Sequence, residues 1–464
     1  MPGKTISEKI LSRASGRDAR AGDLVICEVD CAMGTDGSVP MAIDYFEQMG
    51  GTGVFDPSRI VFVMDHYAPR PLSEASELQA RMRRFAARHD IPIYDVGEGI
   101  CHQLMVETGR TRPGALLVGA DSHSVTGGAL NAFATGIGSS DLAATMICGR
   151  IWLKVPPTIK IVLAGRAGPG VFPKDVALAL AGMLGADGAA YQALEFDGPG
   201  AADFEVEDRL VLSNMSVEMG AKAGIFRADR KTAAYLRRAD ETGVAGLGNS
   251  LRTAHDLATA PVEADADAEY SREITLDLSR LTPRIAWPHA VDNVVEVTDA
   301  IGTPIQMVFI GTCTGGRVRD FHQALTVLRA AQRPGPLRLR SSGSGVASVE
   351  YGVSPERSPI APGVHLVITP ASRNVEAELR RDGTLDAFAA MGATITPPGC
   401  GPCCGTAGPI PADGVNVIST ANRNFKARMG TATASIYLAS PAACAAAAVT
   451  GRITDPRDPA ETPR

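Results

Sequence analysis

Thr396-Pro-Pro-Gly-Cys400-Gly-Pro-Cys403-Cys404-Gly405 and, upstream, Gly311-Thr-Cys313-Thr-Gly315-Gly316 are the two stretches around which the chain is organised. Cys400 and Cys403 stand two residues apart in a loop of glycine and proline, which can turn both sulfurs toward one point. Cys313 arrives from a second glycine-rich turn. Three thiolates are one fewer than the four that ordinarily hold an iron–sulfur cluster. A metal lacking one protein ligand has an open position for substrate oxygen. A C-x-x-C pair also occurs in redox sites and in half zinc sites, so the pattern by itself leaves those readings open.

The totals narrow the field. A chain of 464 residues, 45% hydrophobic and 21% charged, has the composition of a multi-domain globular protein. A net charge of -6 gives no footprint for nucleic acid or an anionic membrane. No apolar run approaches the roughly 20 residues that span a bilayer. The start, Met-Pro-Gly-Lys-Thr-Ile-Ser-Glu-Lys, lacks the apolar core of a secretory signal. Nine cysteines, an odd number scattered along a long chain, argue against a disulfide framework. The expected compartment is the cytoplasm.

Outward from the cysteines, buried strands alternate with helical patterns. Short apolar runs at Leu24 to Val29, Ile60 to Met64, Ile91 to Asp95 and Ala115 to Val118 read as strands, the unbroken ones buried on both faces of a parallel sheet. Thr5 to Ala14 and Asp141 to Arg150 read as helices. Between Ser73 and His89, Leu78, Met82 and Phe85 form an apolar stripe, with Arg83, Arg84 and Arg88 on a solvated face. Texture changes near Pro156-Pro157, and Ile159 to Leu163 opens a second unit. That unit contains Pro173-Lys174-Asp175 before an Ala/Leu helix, and an acidic, surface-type run from Glu263 to Glu269. Pro283 to Pro288 reads as a linker. A third unit then repeats the first, with strands at Ile305 to Ile310, His365 to Thr369, Ala393 to Thr396 and Val415 to Thr420. Arg333 to Pro362 interrupts it as an irregular insertion. The expected divisions are 1-157, 158-282 and 283-464.

Nearly every chemically capable residue stands just past the carboxyl end of one of these strands, where open α/β sheets bind ligands. Asp65-His66 pairs a carboxylate with an imidazole, a combination suited to acid catalysis; it could also be an ordinary strand end. Asp121-Ser122-His123 follows a buried strand, but adjacent residues do not make a hydrolase triad and no G-x-S-x-G turn accompanies them. His102 carries little weight alone. On one helix Asn214 and Glu218 would share a face. Asn422, Arg423 and Arg428 suit carboxylate binding, because guanidinium grips a carboxylate through two hydrogen bonds. Cys404 faces away along the chain and reads as packing. Cys27, Cys31, Cys101, Cys148 and Cys444 read as small core residues, and Ser372 is a weak candidate.

Five motifs in order carry a family likeness: Gly119-Ala-Asp-Ser-His123, Ser213-Asn-Met-Ser-Val-Glu218, Gly311-Thr-Cys-Thr314, Cys400-Gly-Pro-Cys403 and Asn422-Arg-Asn-Phe-Lys-Ala-Arg428. From about Lys4 to Pro456 the chain resembles the aconitase superfamily, and in length and segment order the large subunits of 3-isopropylmalate dehydratases and homoaconitases. The resemblance implies an α/β protein of three α/β/α units around a central [4Fe–4S] cluster on Cys313, Cys400 and Cys403, with the fourth iron free. It implies that Asp65 and His66 handle the hydroxyl that leaves or enters. His102, Asp121 and His123 would surround the open iron, Glu218 and Asn214 would line the pocket, and Ser122, Asn422, Arg423 and Arg428 would contact substrate or cluster. The implied reaction dehydrates a hydroxy di- or tricarboxylate and rehydrates the neighbouring carbon.

The resemblance also implies a partner. The chain ends where aconitase continues into its swivelling fourth domain, which a separate small subunit supplies in two-chain members. One departure stands out: the family usually has Ser-Cys-Thr-Asn at the first cysteine, whereas this chain has Thr312-Cys-Thr-Gly315. The sequence-based expectation is a hydro-lyase subunit acting on a substituted malate, 3-isopropylmalate first, or a related alkyl- or arylmalate. An iron-responsive RNA-binding protein and a structural zinc protein are the readings from other classes; the acidic charge opposes the former.

Overall fold

The computed structural model describes residues 2–68, 73–242, 260–331 and 358–457. Most of the expected insertion from Arg333 to Pro362, part of the loop after His66 and the last residues of the tail lie outside them. The chain opens with the helix Ile6–Ser15, held by a reciprocal cap between Thr5 and Glu8 and ended by Gly16 in the left-handed region. A five-stranded parallel sheet follows, in spatial order Ile93–Tyr94, Ile60–Val63, Cys31–Thr35, Leu116–Gly119, Phe133–Gly136. The chain winds outward to one edge, returns to the centre and winds to the other. This doubly wound order opens a crevice between Cys31–Thr35 and Leu116–Gly119. Ile60–Val63 is buried at every position, as its unbroken apolar run requires.

Thr158–Ala164, Ala193–Asp197, Ala223–Phe226 and Arg272–Asp277 form a second parallel sheet with Thr158–Ala164 inside it. A third sheet of seven strands contains the same winding as the first. Its parallel core runs Ser435–Leu438, Asn416–Ser419, Met307–Ile310, His365–Ile368, Thr394–Ile395. Its crevice lies between Met307–Ile310 and Asn416–Ser419. The helix Pro441–Thr450, PAACAAAAVT, packs almost wholly buried on this sheet, since its alanines allow close approach.

Several expectations change. Pro283 to Pro288 is not a free linker, because Arg284–Ala286 pairs antiparallel with Val294–Glu296 and extends the third sheet. In the helix Ser73–Arg88 the buried face carries Ala75, Gln79, Met82, Phe85 and Ala86, and Leu78 is 37% exposed. Gln79 takes the inward place because its amide serves a buried carboxylate described below. The acidic run is partly tied down: Asp265 accepts the Lys4 backbone N–H at 2.7 Å, and Gly3 bridges to Ala268. Cys148 is exposed, unlike Cys27, Cys31, Cys101 and Cys444.

Candidate active site

The first crevice is organised by Asp36, just past Cys31–Thr35. Its buried carboxylate accepts the backbone N–H groups of Asp65 (3.3 Å), His66 (2.9 Å) and Tyr67 (3.1 Å), and Gln79 Nε2 at 3.1 Å. Burial, and then the charge of Asp65, push the Asp36 carboxyl above its ordinary range. This cradle fixes the turn by which Asp65 and His66 leave their strand. Asp65 is 1% exposed; one oxygen lies 2.8 Å from His66 Nδ1 and the other accepts the Cys101 N–H at 2.8 Å.

Asp121 stands among three imidazoles. His102 Nε2 lies 2.7 Å away, His66 Nε2 3.4 Å and His123 Nδ1 3.7 Å. Burial opposes its charge, but His102 and then the other two histidines hold its carboxyl well below the ordinary value. Burial likewise opposes a charged His66, yet Asp65 and Asp121 raise that imidazole well above 6.5. His66 is thus held between two carboxylates that favour its protonated form, from which it can give up a proton. His123 turns its Nε2 to Glu218 at 2.6 Å, and Arg423 Nε reaches the two Glu218 oxygens at 2.8 and 3.0 Å. Burial would raise Glu218, but His123 and Arg423 lower it, so it is ionised.

The second crevice gathers the thiols. Cys313 follows Met307–Ile310 through Thr312, whose φ of 73 is unusual for a branched residue and marks a constrained turn. Asn214 Nδ2 donates to Cys313 Sγ at 3.1 Å and Asn422 Nδ2 does so at 3.3 Å. Arg428 donates to Cys403 Sγ at 3.6 Å. Cys403 is held well below the ordinary thiol value by a hydrogen bond from Cys400, against burial and with help from Arg428, while burial and Cys403 push Cys313 up to about 12. Hydrogen bonds onto sulfur favour the anion. Three buried cysteines, two of them taking such donors, fit a soft-metal or iron–sulfur centre. The cysteine loop also touches the first crevice, where Cys400 N–H donates to the Asp65 carbonyl at 3.1 Å. Gly401 and Gly405 are both left-handed, and a Cβ at Gly405 would lie 2.3 Å from the Gly430 nitrogen.

The crevices thus bring together Asp65, His66, His102, Asp121, His123, Asn214, Glu218, Cys313, Cys400, Cys403, Asn422, Arg423 and Arg428. Ser122 sits at the edge, its Oγ 3.4 Å from His123 Nδ1, and also borders a cleft of about 500 Å³ with Trp152, Tyr191 and Lys222. Asn214 and Glu218 do not share one α-helix: Val206–Met215 ends between them, and Glu218 sits in the 3₁₀ turn Ser216–Met219. Cys404 is not mere packing. Its sulfur meets Thr406 Oγ1 at 2.7 Å, and the Cys400 thiol, against burial and aided by His66, lowers it to about 6. Ser372 caps the helix Arg373–Arg381 and donates to Glu107.

Three features escaped the sequence reading. Asp36 sits in an unremarkable turn. Arg317 is buried, with Nε on Gln103 Oε1 at 2.9 Å, one residue from His102. Lys174 is 1% exposed, and burial lowers its amine to about 8. A cation in the first turn of a helix opposes the helix dipole, and that was the available signal. The structure also explains Gly315: a Cβ there would lie 2.3 Å from both Cβ and Oγ1 of Thr420.

Residues 8–451 match the model of the Aconitase family (aconitate hydratase). The chain belongs to the aconitase family. It is 43% identical over 456 residues to 3-isopropylmalate dehydratase large subunit 1 of Methanopyrus kandleri, covering 98% of this chain and 99% of that protein. The corresponding Thermotoga maritima protein is 42% identical over 457 residues, covering 98% and 99%. The homoaconitase large subunit of Thermus thermophilus is 40% identical over 457 residues, covering 98% of each. Aconitase-family proteins generally bind an iron–sulfur cluster, and the relatives' names imply a separate small subunit. The α/β expectation and the family resemblance are both borne out.

Proposed function

We propose that the chain is the large, cluster-bearing subunit of a hydro-lyase that isomerises a substituted malate, with 3-isopropylmalate as the first-choice substrate. Cys313, Cys400 and Cys403 would hold a [4Fe–4S] cluster, which when bound supplies a Lewis-acidic iron with an open position. The observation that carries the reading is the set of donors on buried sulfur: both Asn214 and Asn422 on Cys313, and Arg428 on Cys403.

The protein's own groups then divide the work. His66, whose protonated form Asp65 and Asp121 favour, donates a proton to the departing hydroxyl so that it leaves as water, while a base carried by the small subunit would take the proton from the neighbouring carbon and that C–H electron pair would become the double bond. Asp121 holds His66 and His102 in position from its two oxygens. The Glu218 carboxylate orients His123 and Arg423 toward the same space, and Arg428 adds positive charge for a substrate carboxylate. A small swivel-domain subunit, as a separate chain, would complete the pocket and read the substrate's side chain. The homoaconitase relative favours one alternative, a longer tricarboxylate bound in the same site. We further propose domain boundaries at 1-157, 158-282 and 283-464, one large sheet in each, and a cytoplasmic location, since thiolate ligands need a reducing compartment.

Iron and acid-labile sulfide per chain, measured on protein purified without oxygen, test the centre. About four irons are expected, one lost on mild oxidation to leave a three-iron EPR signal. Zinc, or no metal after reconstitution, would overturn the reading. Cys400→Ser and Cys403→Ser should each abolish cluster retention. With the small subunit added, 3-isopropylmalate and homologous hydroxy acids then distinguish the substrates.

A further inference from the structure

Lys174 is the second residue of the helix Pro173–Leu184, in the second of the three sheet-bearing segments, yet its amine ends between the two loops that build the thiol crevice of the third. Nζ donates to the carbonyls of Ala421 (2.6 Å) and Thr420 (3.0 Å) and to Thr314 Oγ1 (3.3 Å), with Met215 Sδ at 3.8 Å. Thr314 follows Cys313 directly, and Ala421 precedes Asn422 and Arg423. Thr314 Oγ1 itself donates to the Thr420 carbonyl at 2.7 Å, so one ammonium and one hydroxyl tie both loops at the crevice.

Such an arrangement needs an anion. A buried ammonium is costly unless an opposite charge compensates it, and among the described residues none of its hydrogen-bond partners is a carboxylate. The adjacent Asp175 is turned away, accepting the N–H groups of Phe172 (2.8 Å) and Arg284 (2.9 Å). Cys313, which directly precedes Thr314, and Cys403 would favour the ammonium once ionised as metal ligands, ahead of Cys444 and Glu218. We propose that Lys174 is the buried counter-charge of the three-thiolate centre, holding the bound cluster and raising its reduction potential while fixing the loop that presents Asn422 and Arg423. The inference rests on the iron–sulfur reading above. Its physical basis is that a fixed positive charge in a dry site stabilises the more negative state of a nearby redox group.

The test uses the full chain, loaded anaerobically, as wild type and as Lys174→Met, Lys174→Gln and Lys174→Arg. Two quantities are read: the midpoint potential of the three-iron form by EPR-monitored titration, and the rate of iron loss to a chelator. Met and Gln should shift the midpoint to more negative values and weaken the hold on iron roughly 10–100-fold, as loss of outer partners does at metal sites. Arg should keep the wild-type midpoint. Gln retains a hydrogen-bond donor without charge, so it serves if Met fails to fold. A wild-type midpoint in the neutral variants, or an equal shift in all three, overturns the counter-charge role alone. A wild-type chain that takes up no cluster overturns both readings.

Discussion

Asp36 gives the sharpest test of how the acid pair is held. Asp36→Ala removes the acceptor for three backbone N–H groups and the Gln79 amide at once. Each orphaned buried donor costs about 1 kcal/mol or more, so the turn through Asp65, His66 and Tyr67 should lose roughly 3–5 kcal/mol of local stability. Asp36→Asn should be milder. Its remaining oxygen can serve Asp65 and His66, and Gln79 can turn its carbonyl toward the new amide, leaving mainly the Tyr67 N–H unmet at about 1–2 kcal/mol. At 1.4 kcal/mol per power of ten, Ala should speed amide exchange in this turn by about two to four powers of ten, and Asn by about one. Hydrogen–deuterium exchange of the peptide spanning Val63 to Tyr67 reads this directly. Turnover should fall in the same order, since small misplacements of a catalytic group cost up to about 100-fold. Wild-type exchange in Asp36→Ala, or Asn as damaging as Ala, would refute the cradle.

Restoring the family residue through Gly315→Asn should destabilise the chain by about 2–5 kcal/mol. Thr420, fully buried and hydrogen-bonded at 2.9 Å to both N and O of Gly311, cannot yield without losing those bonds; chemical denaturation measures it, and an unchanged midpoint would count against the clash. For pH dependence, the raised His66 is protonated below its folded pKa and loses its proton above it. Activity that needs this acid should hold until pH nears the raised value and decline past it, whereas the stability from its pairing with Asp65 and Asp121 is full below pH 6.5 and is lost as pH rises from there through the raised value. Asp121→Asn removes one of the two carboxylates and should move that alkaline limb to lower pH; a limb that stays put, in profiles of kcat against pH, would remove His66 from the acid role. Arg423→Lys replaces the two contacts to Glu218 with a point charge, so KM for the carboxylate substrate should rise about tenfold with iron content unchanged. Loss of iron instead would mean that Arg423 supports the centre rather than the substrate.

The strand-end residues were legible because one rule governs them. Short apolar runs end abruptly in Asp65-His66, in Asp121 or in a cysteine turn, and in doubly wound sheets such ends converge at the crevice. What was missed has in common that its meaning lies across a sheet rather than along the chain. Asp36 faces N–H groups about thirty residues away, as its bond to His66 shows. Lys174 serves loops more than a hundred residues later, and a local reading of its helix shows only an unfavourable cation. Arg284–Ala286 escaped because a three-residue strand between prolines carries too little periodicity to separate it from a linker. Glu218 lies beside His123 and Arg423 by another route than its spacing from Asn214 suggests: a tighter turn, not one shared helix, delivers it.

The span of the crevice contacts sets an order of events during synthesis. Cys404 and His66, which meet across the two crevices, are 338 residues apart in the chain. At about 5–20 residues per second, His66 leaves the ribosome roughly 17–70 s before the last cysteine of the loop does. Within it Asp36, Asp65 and His66 can adopt their turn, but Asn214 must wait 99 residues for the Cys313 sulfur and Lys174 246 residues for the Thr420 carbonyl. A half-formed crevice must therefore persist as an open, polar wound in the nascent chain. Whatever fills the thiol centre can be inserted only once the loop from Cys400 to Cys404 has been made, so the supply of that group governs a late step in building the site.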